Sequence, residues 1–87
     1  MENHQEEMDL RKIFMDNLRL RLDEKGWSQR ELARRLGVSS AAVSHLFTGN
    51  RQPGLSTIES IARVLDVSPL ELLIPRDFAA YRAPKAR

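Results

Sequence analysis

The chain of 87 residues contains no cysteine. Disulfide scaffolds and thiolate metal sites are therefore excluded, and an intracellular home is acceptable. Histidine is almost as scarce. The two present, His4 and His45, lie 41 residues apart, so no metal-binding spacing such as HExxH exists. Four glycines are too few for a dinucleotide fingerprint. The loop Gly49-Asn50-Arg51-Gln52-Pro53-Gly54 lacks the Lys-Ser/Thr that completes a phosphate loop. No serine has a His and an acid placed to activate it, which leaves nucleophilic catalysis without support. No cofactor and no enzyme activity are expected. Long apolar runs are missing too. Leu72-Leu73-Ile74 is the longest aliphatic stretch, far short of a bilayer span. The opening MENHQEEMDL is acidic and polar, without the basic-then-apolar order of a signal peptide. These features predict a cytoplasmic protein without a membrane partner. Its length leaves room for one small domain.

Net charge is only +2, but its distribution is uneven. Residues 1–9 hold four acids and no Lys or Arg. The middle of the chain is positive, with Arg30, Arg34, Arg35 and Arg51 against Glu31 between residues 26 and 55. Residues 75–87 add Arg76, Arg82, Lys85 and Arg87 against Asp77. Residues 1–8 read as an acidic extension that can prolong the first helix through Asn3 and Glu6. Residues 9–74 read as the domain, and 75–87 as a basic tail.

Strand signals are absent, and the punctuation falls at helical intervals. Gly26, Gly37 and Gly49 each follow a short periodic segment, where a left-handed C-cap favours glycine. Ser28 with Glu31, Ser56 with Glu59 and Ser68 with Glu71 fit capping boxes, and Ser39 can cap a further helix. Pro69 suits the first position of the last one. The spacing predicts five helices, at roughly 9–25, 29–36, 40–47, 57–65 and 69–74. Leu10, Ile13, Phe14, Leu18 and Leu22 form the first apolar stripe. Leu32, Ala33 and Leu36 form the second, and Val43 and Leu46 the third. Ile58, Ile61, Ala62 and Leu65 continue it, and Leu70 and Leu73 close it. Glu31 and Arg35 suit an i,i+4 ion pair. Trp27 reads as a staple onto the core rather than a platform for stacked bases.

The second and third helices are joined only by Gly37-Val38-Ser39, a turn that sets two helices near a right angle. The third helix then turns Ser40, Ala41, Ser44, His45 and Thr48 outward. That face is small and free of acid, so it can seat in a groove about 12 Å wide lined by phosphates. His45 carries the most discriminating chemistry there, able to donate or accept at a base edge.

The run Trp27-Ser28-Gln29-Arg30-Glu31-Leu32-Ala33, then Leu36-Gly37-Val38-Ser39, then Val43-Ser44, Gly49, Arg51 and Pro53 resembles the lambda-repressor-like (Xre or Cro/cI type) helix-turn-helix family. The likeness continues through Ile58, Ala62, Leu65 and Val67 to Leu73. It implies an all-α, five-helix fold with the helix-turn-helix at helices 2 and 3. It further implies sequence-specific binding of a double-stranded DNA operator by a homodimer. By position, Ser40, Ala41, Ser44 and His45 would read base edges. Gln29, Arg30, Thr48, Asn50 and Arg51 would contact phosphates. Ala41 departs from the long polar side chain many members carry, and offers only a methyl contact. Phe47 stands where Glu is common and is expected to be buried or at an interface. Arg21 stands where an aliphatic residue is frequent.

These features together predict a prokaryotic or phage-type transcriptional regulator, a repressor, acting in the cytoplasm on the nucleoid. Leu72, Ile74, Phe78 and Tyr81 are the candidate dimer contacts. Three alternatives use the same residues. An antitoxin would add a toxin as protein partner, held by the two tails. An interaction module would keep the fold and no longer bind DNA. A fragment of a longer repressor would continue beyond Arg87 into a further domain.

Overall fold

The computed structural model describes residues 9–49 and 52–76. Helix α1 spans Leu10–Lys25, α2 Gln29–Leu36, α3 Ser40–Thr48 and α4 Leu55–Leu65, followed by a 3-10 helix at Pro69–Leu72. No strand occurs among the described residues. The Asn3–Glu6 cap, residues 1–8 and all of the tail beyond Arg76 lie outside them.

Ser28 and Ser39 cap helices where the sequence puts them, and Asp9 adds a cap that the pattern had not marked. Asp9 accepts from the Lys12 N–H at 3.1 Å and starts α1. Ser28 accepts from the Glu31 N–H at 3.0 Å, and Ser39 from the Ala42 N–H at 3.1 Å. Gly26 and Gly37 close α1 and α2 in the left-handed region, at φ 70° and 76°. There a Cβ would crowd its own backbone.

Four expectations are corrected. Gly49 ends α3 in extended backbone, φ −78° and ψ 172°, so it is no left-handed cap. Helix α4 begins at Leu55, because the ladder starts at the Gly54 carbonyl, which accepts from Ile58 at 3.1 Å. Ser56 therefore sits inside the helix, and no Ser56–Glu59 capping box forms. The end of α4 stays at Leu65 as expected, closed by a left-handed Asp66, φ 61°, where the sequence offers no glycine. In place of a fifth α-helix at 69–74 there is the 3-10 helix, with i−3 bonds from Glu71 to Ser68 (2.9 Å) and from Leu73 to Leu70 (3.0 Å). Pro75 explains the early stop. Its ring would clash with the Glu71 carbonyl in a continued helix, and it disfavours helical backbone at Ile74.

The core gathers one stripe from every element: Phe14, Met15, Leu18 and Leu22 from α1, Leu32 and Ala33 from α2, Val43 from α3, Ile58, Ile61, Ala62 and Leu65 from α4, and Leu72. Met15 replaces Leu10 in the predicted α1 stripe; Leu10 is about half exposed. Trp27, Leu36, Leu46 and Phe47 pack around the rim. One polar residue, Asn17, is buried among them. Its Nδ2 donates to the Leu72 carbonyl at 3.0 Å and the Ile74 carbonyl at 2.8 Å, tying the end of the fold to α1. Arg21 follows one turn on and pairs with Glu71 at 3.0 Å and Glu24 at 3.6 Å. A charged residue in that position is accommodated because its head reaches an acid at the surface.

Candidate nucleic-acid interface

Helix α3 packs chiefly on α2, which joins it through residues 37–39. Val43 is buried and Leu46 half-buried, which settles the inward face of α3. Ser40, Ala41, Ser44, His45 and Thr48 are all exposed on the remainder, and α3 contains no acid. Gln29 and Arg30 are exposed in the first turn of α2. Seven of the candidate contacts are thus accessible on the two helices of the pair. The eighth and ninth, Asn50 and Arg51, lie outside the described residues. The Thr48 hydroxyl donates to the Ser44 carbonyl at 3.0 Å, which leaves its oxygen lone pairs outward as acceptors. His45 also borders a shallow depression between α3 and α4, beside Gln52 and Thr57.

The cations of α2 are not equivalent. Glu31 caps no backbone in return for Ser28. Its carboxylate instead takes Arg34 Nη2 and Arg35 Nε, each at 2.6 Å. Arg35 in turn lies over the Trp27 ring, 4.1 Å from its centre, with Lys25 at 5.3 Å. Trp27 therefore serves as a packed hub, its ring engaged by cations of its own chain. Arg30 makes no ion pair among the described residues, and it projects from the end of α2 that carries Gln29. Among the described residues it differs in this from Arg34 and Arg35, which share Glu31.

Glu31 has a measurable consequence. Hydrogen bonds from Arg34, then Arg35, hold its carboxyl at about 2 against an ordinary 4.5. A folded-state value depressed below the unfolded one stabilises the fold above the unfolded value, and that contribution is lost as pH falls from there toward the folded one. Between pH 4.5 and about 2 the wild type should therefore lose stability that Glu31→Gln, lacking the group, does not lose. Acid unfolding followed by circular dichroism checks this. Parallel curves for the two proteins would refute it.

Two basic residues of α1 reach the far end of α3, and nothing in the sequence pattern pointed to either. Arg11 Nη2 donates to the carbonyls of Leu46 at 3.1 Å and Gly49 at 3.0 Å. Arg19 lies over the Phe47 ring at 5.3 Å. Phe47 is half-buried and packs on the core, in keeping with its expected retreat from solvent. Of the candidate dimer contacts, Leu72 is a core residue with no exposure, so a partner cannot touch it in this fold. Ile74 is exposed, and Leu70, expected in the core stripe, is more so. Phe78 and Tyr81 lie outside the described residues. No group of His, Asp or Glu that could hold a metal occurs among the described residues, and no described helix is long and apolar enough to cross a membrane.

A family model described as helix-turn-helix matches residues 18–72, from the middle of α1 to the end of the 3-10 helix. The chain belongs to the lambda-repressor-like helix-turn-helix family. A hypothetical transcription factor of Neisseria meningitidis serogroup B is 41% identical over 70 residues, 80% of this chain and 66% of that one. An uncharacterized HTH-type transcriptional regulator of Sinorhizobium fredii, y4dJ, is 39% identical over 70 residues, covering 80% of this chain and 91% of that one. The crystal structure of the hypothetical transcription factor NHTF from Neisseria superposes with a TM-score of 0.73 at 38% identity, over 88% of this chain and 85% of that one. Helix-turn-helix membership places the chain outside the enzymes.

Proposed function

We propose that this helix-turn-helix protein is a DNA-binding regulator of transcription, a repressor whose two copies bind a two-fold symmetric operator. One observation carries the reading. The outer face of α3 is exposed, small and free of acid, while its inner face is fixed on the domain. A helix so held can enter a major groove without clash or charge repulsion. Ser40, Ala41, Ser44 and His45 would meet base edges, with Ala41 limited to a thymine methyl. Gln29, Arg30, Thr48, Asn50 and Arg51 would meet phosphates. Exposed Leu70 and Ile74 supply the apolar surface for a second copy, which would place two α3 helices about one turn of DNA, ~34 Å, apart. The working compartment is the cytoplasm, at the nucleoid.

Selection of bound duplexes from a randomised pool by the purified protein tests this. A two-fold symmetric consensus with half-sites one turn apart supports the dimeric reader. Enrichment without symmetry, or none, refutes it and favours a protein-binding role.

The contacts divide by what they should do. Replacing Ser40 or His45 with alanine should relax preference at one or two base pairs, by roughly 1–3 kcal/mol each. Arg51→Ala should weaken all sequences nearly alike. If Arg51→Ala altered base preference while His45→Ala weakened every duplex equally, the two roles would be exchanged.

A further inference from the structure

We infer that Arg11 is a positioning residue for DNA reading, fixing the C-terminal end of α3 so that Ser44, His45 and Thr48 present a single geometry to the bases. The inference rests on the DNA-reading role proposed above. Both hydrogens of one guanidinium nitrogen are used, on the Leu46 carbonyl inside the last turn and the Gly49 carbonyl just beyond it. A helix end leaves its last carbonyls without partners of its own. Here the Gly49 N–H takes the His45 carbonyl at 2.6 Å, and Arg11 takes Leu46 from another helix. The cation also complements the negative end of the helix dipole.

The two ends of α3 are held differently. Its start is fixed by the three-residue turn from α2 and by the Ser39 cap. Its end leads into six residues before α4 begins. That end is held by Leu46 and Phe47 against the core and by α1, through Arg11 and through Arg19 over Phe47. Helix α3 has nine residues, so a tilt of about 5° about its start would move the far end by about 1 Å. Hydrogen bonds to base edges weaken steeply over displacements of that size. Arg11 precedes residue 18, where the family match begins, so the clamp is contributed from outside the matched segment.

Two variants of the full chain test it. Arg11→Met keeps the stem and removes the donors, and Arg11→Lys keeps the charge with a shorter reach. Each is measured on the duplex selected by wild type, on its single-base-pair variants and on a scrambled duplex, with amide exchange at Phe47, Thr48 and Gly49. Arg11→Met should weaken the selected duplex by about tenfold, within the range by which side chains touching neither partner modulate binding. It should leave the scrambled duplex unchanged, blur preference at the base pairs that Ser44→Ala and His45→Ala affect, and speed exchange at the three amides. Arg11→Lys should fall between the two, and it carries the test if Arg11→Met does not fold. Equal weakening of every duplex would make Arg11 a phosphate contact or a general stabiliser and overturn the inference. So would unchanged base preference. A wild type that selects no duplex would overturn the DNA-reading role itself. The exchange rates would then decide alone whether Arg11 fixes this end, and unchanged rates would sink that too.

Discussion

Raising salt from about 50 to about 200 mM should weaken binding of the selected operator by about ten-thousandfold, a slope of log affinity on log salt near −7, if two copies neutralise about eight phosphates. The condensed cations that the protein displaces are the cause, since their release is worth less as bulk salt rises. The slope also reads stoichiometry. One copy alone would neutralise about half as many phosphates and give a slope near −3.5. A shallow slope on a symmetric site would therefore mean that only one protomer engages the backbone. Arg51→Ala in a dimer should flatten the slope by about two, one contact being lost from each copy. An unchanged slope would remove Arg51 from the phosphate contacts. The charge arrangement on α2 bears on this number. Glu31 neutralises Arg34 and Arg35 locally, while Arg30 makes no ion pair among the described residues. On the proposed reading, the attraction of α2 for DNA would then come from the end that carries Gln29 and Arg30. A measured slope much steeper than −7 would indicate that Arg34 and Arg35 leave Glu31 on binding.

How much of this was readable in advance depends on what encodes each feature. The limits of α2 were legible because both ends are written in side-chain choice, Ser28 before it and Gly37 after it. The outward face of α3 was legible for a similar reason: Val43 and Leu46 recur at helical spacing, and the rest must then point away. The start of α4 was not, because Gly54 caps through its backbone alone and Ser56 offers a more conventional cap two residues on. The end of α4 at Leu65 was legible from the apolar period, although Asp66 closes it in a conformation that glycine usually marks. Arg11 was beyond reach altogether. Its acceptors are backbone carbonyls 35 and 38 residues away, and carbonyls are common to every residue type. Only the fold says which ones an arginine finds.

The same limit hid Asn17, whose replacement should destabilise the fold strongly. On the helical wheel of α1 it reads as one polar residue between Phe14, Met15 and Leu18. In the fold it is buried, and its amide supplies both hydrogens to the Leu72 and Ile74 carbonyls. Asn17→Ala removes both donors, strands one buried and one part-buried acceptor and opens a small void, at a cost of roughly 2–4 kcal/mol. That is a large share of the roughly 5–8 kcal/mol that holds a domain of this size. Asn17→Asp separates the hydrogen bonds from the void, since it keeps the shape and reverses the donor. An ionised carboxylate would face two carbonyl oxygens, and Arg21 one turn on is already engaged by Glu71 at 3.0 Å. Only the protonated acid can donate to one of those carbonyls, so folding should raise the pKa of the introduced carboxyl above its unfolded value of about 3.9. A raised folded-state value means that the variant is most stable below the unfolded value and loses stability as pH rises through the folded one. Urea unfolding at about pH 4 and pH 7 should therefore show Asn17→Asp closer to wild type at the lower pH, with Asn17→Ala displaced equally at both. If the aspartate variant were instead more stable at pH 7, the side chain would be meeting donors rather than carbonyls, and the tie between α1 and the 3-10 helix would need another origin. Ile74 stands at the end of that tie and, with Leu70, belongs to the surface proposed for a second copy. A loosened Asn17 should therefore weaken dimerisation before it unfolds the domain, because the apolar surface moves with the backbone that Asn17 holds.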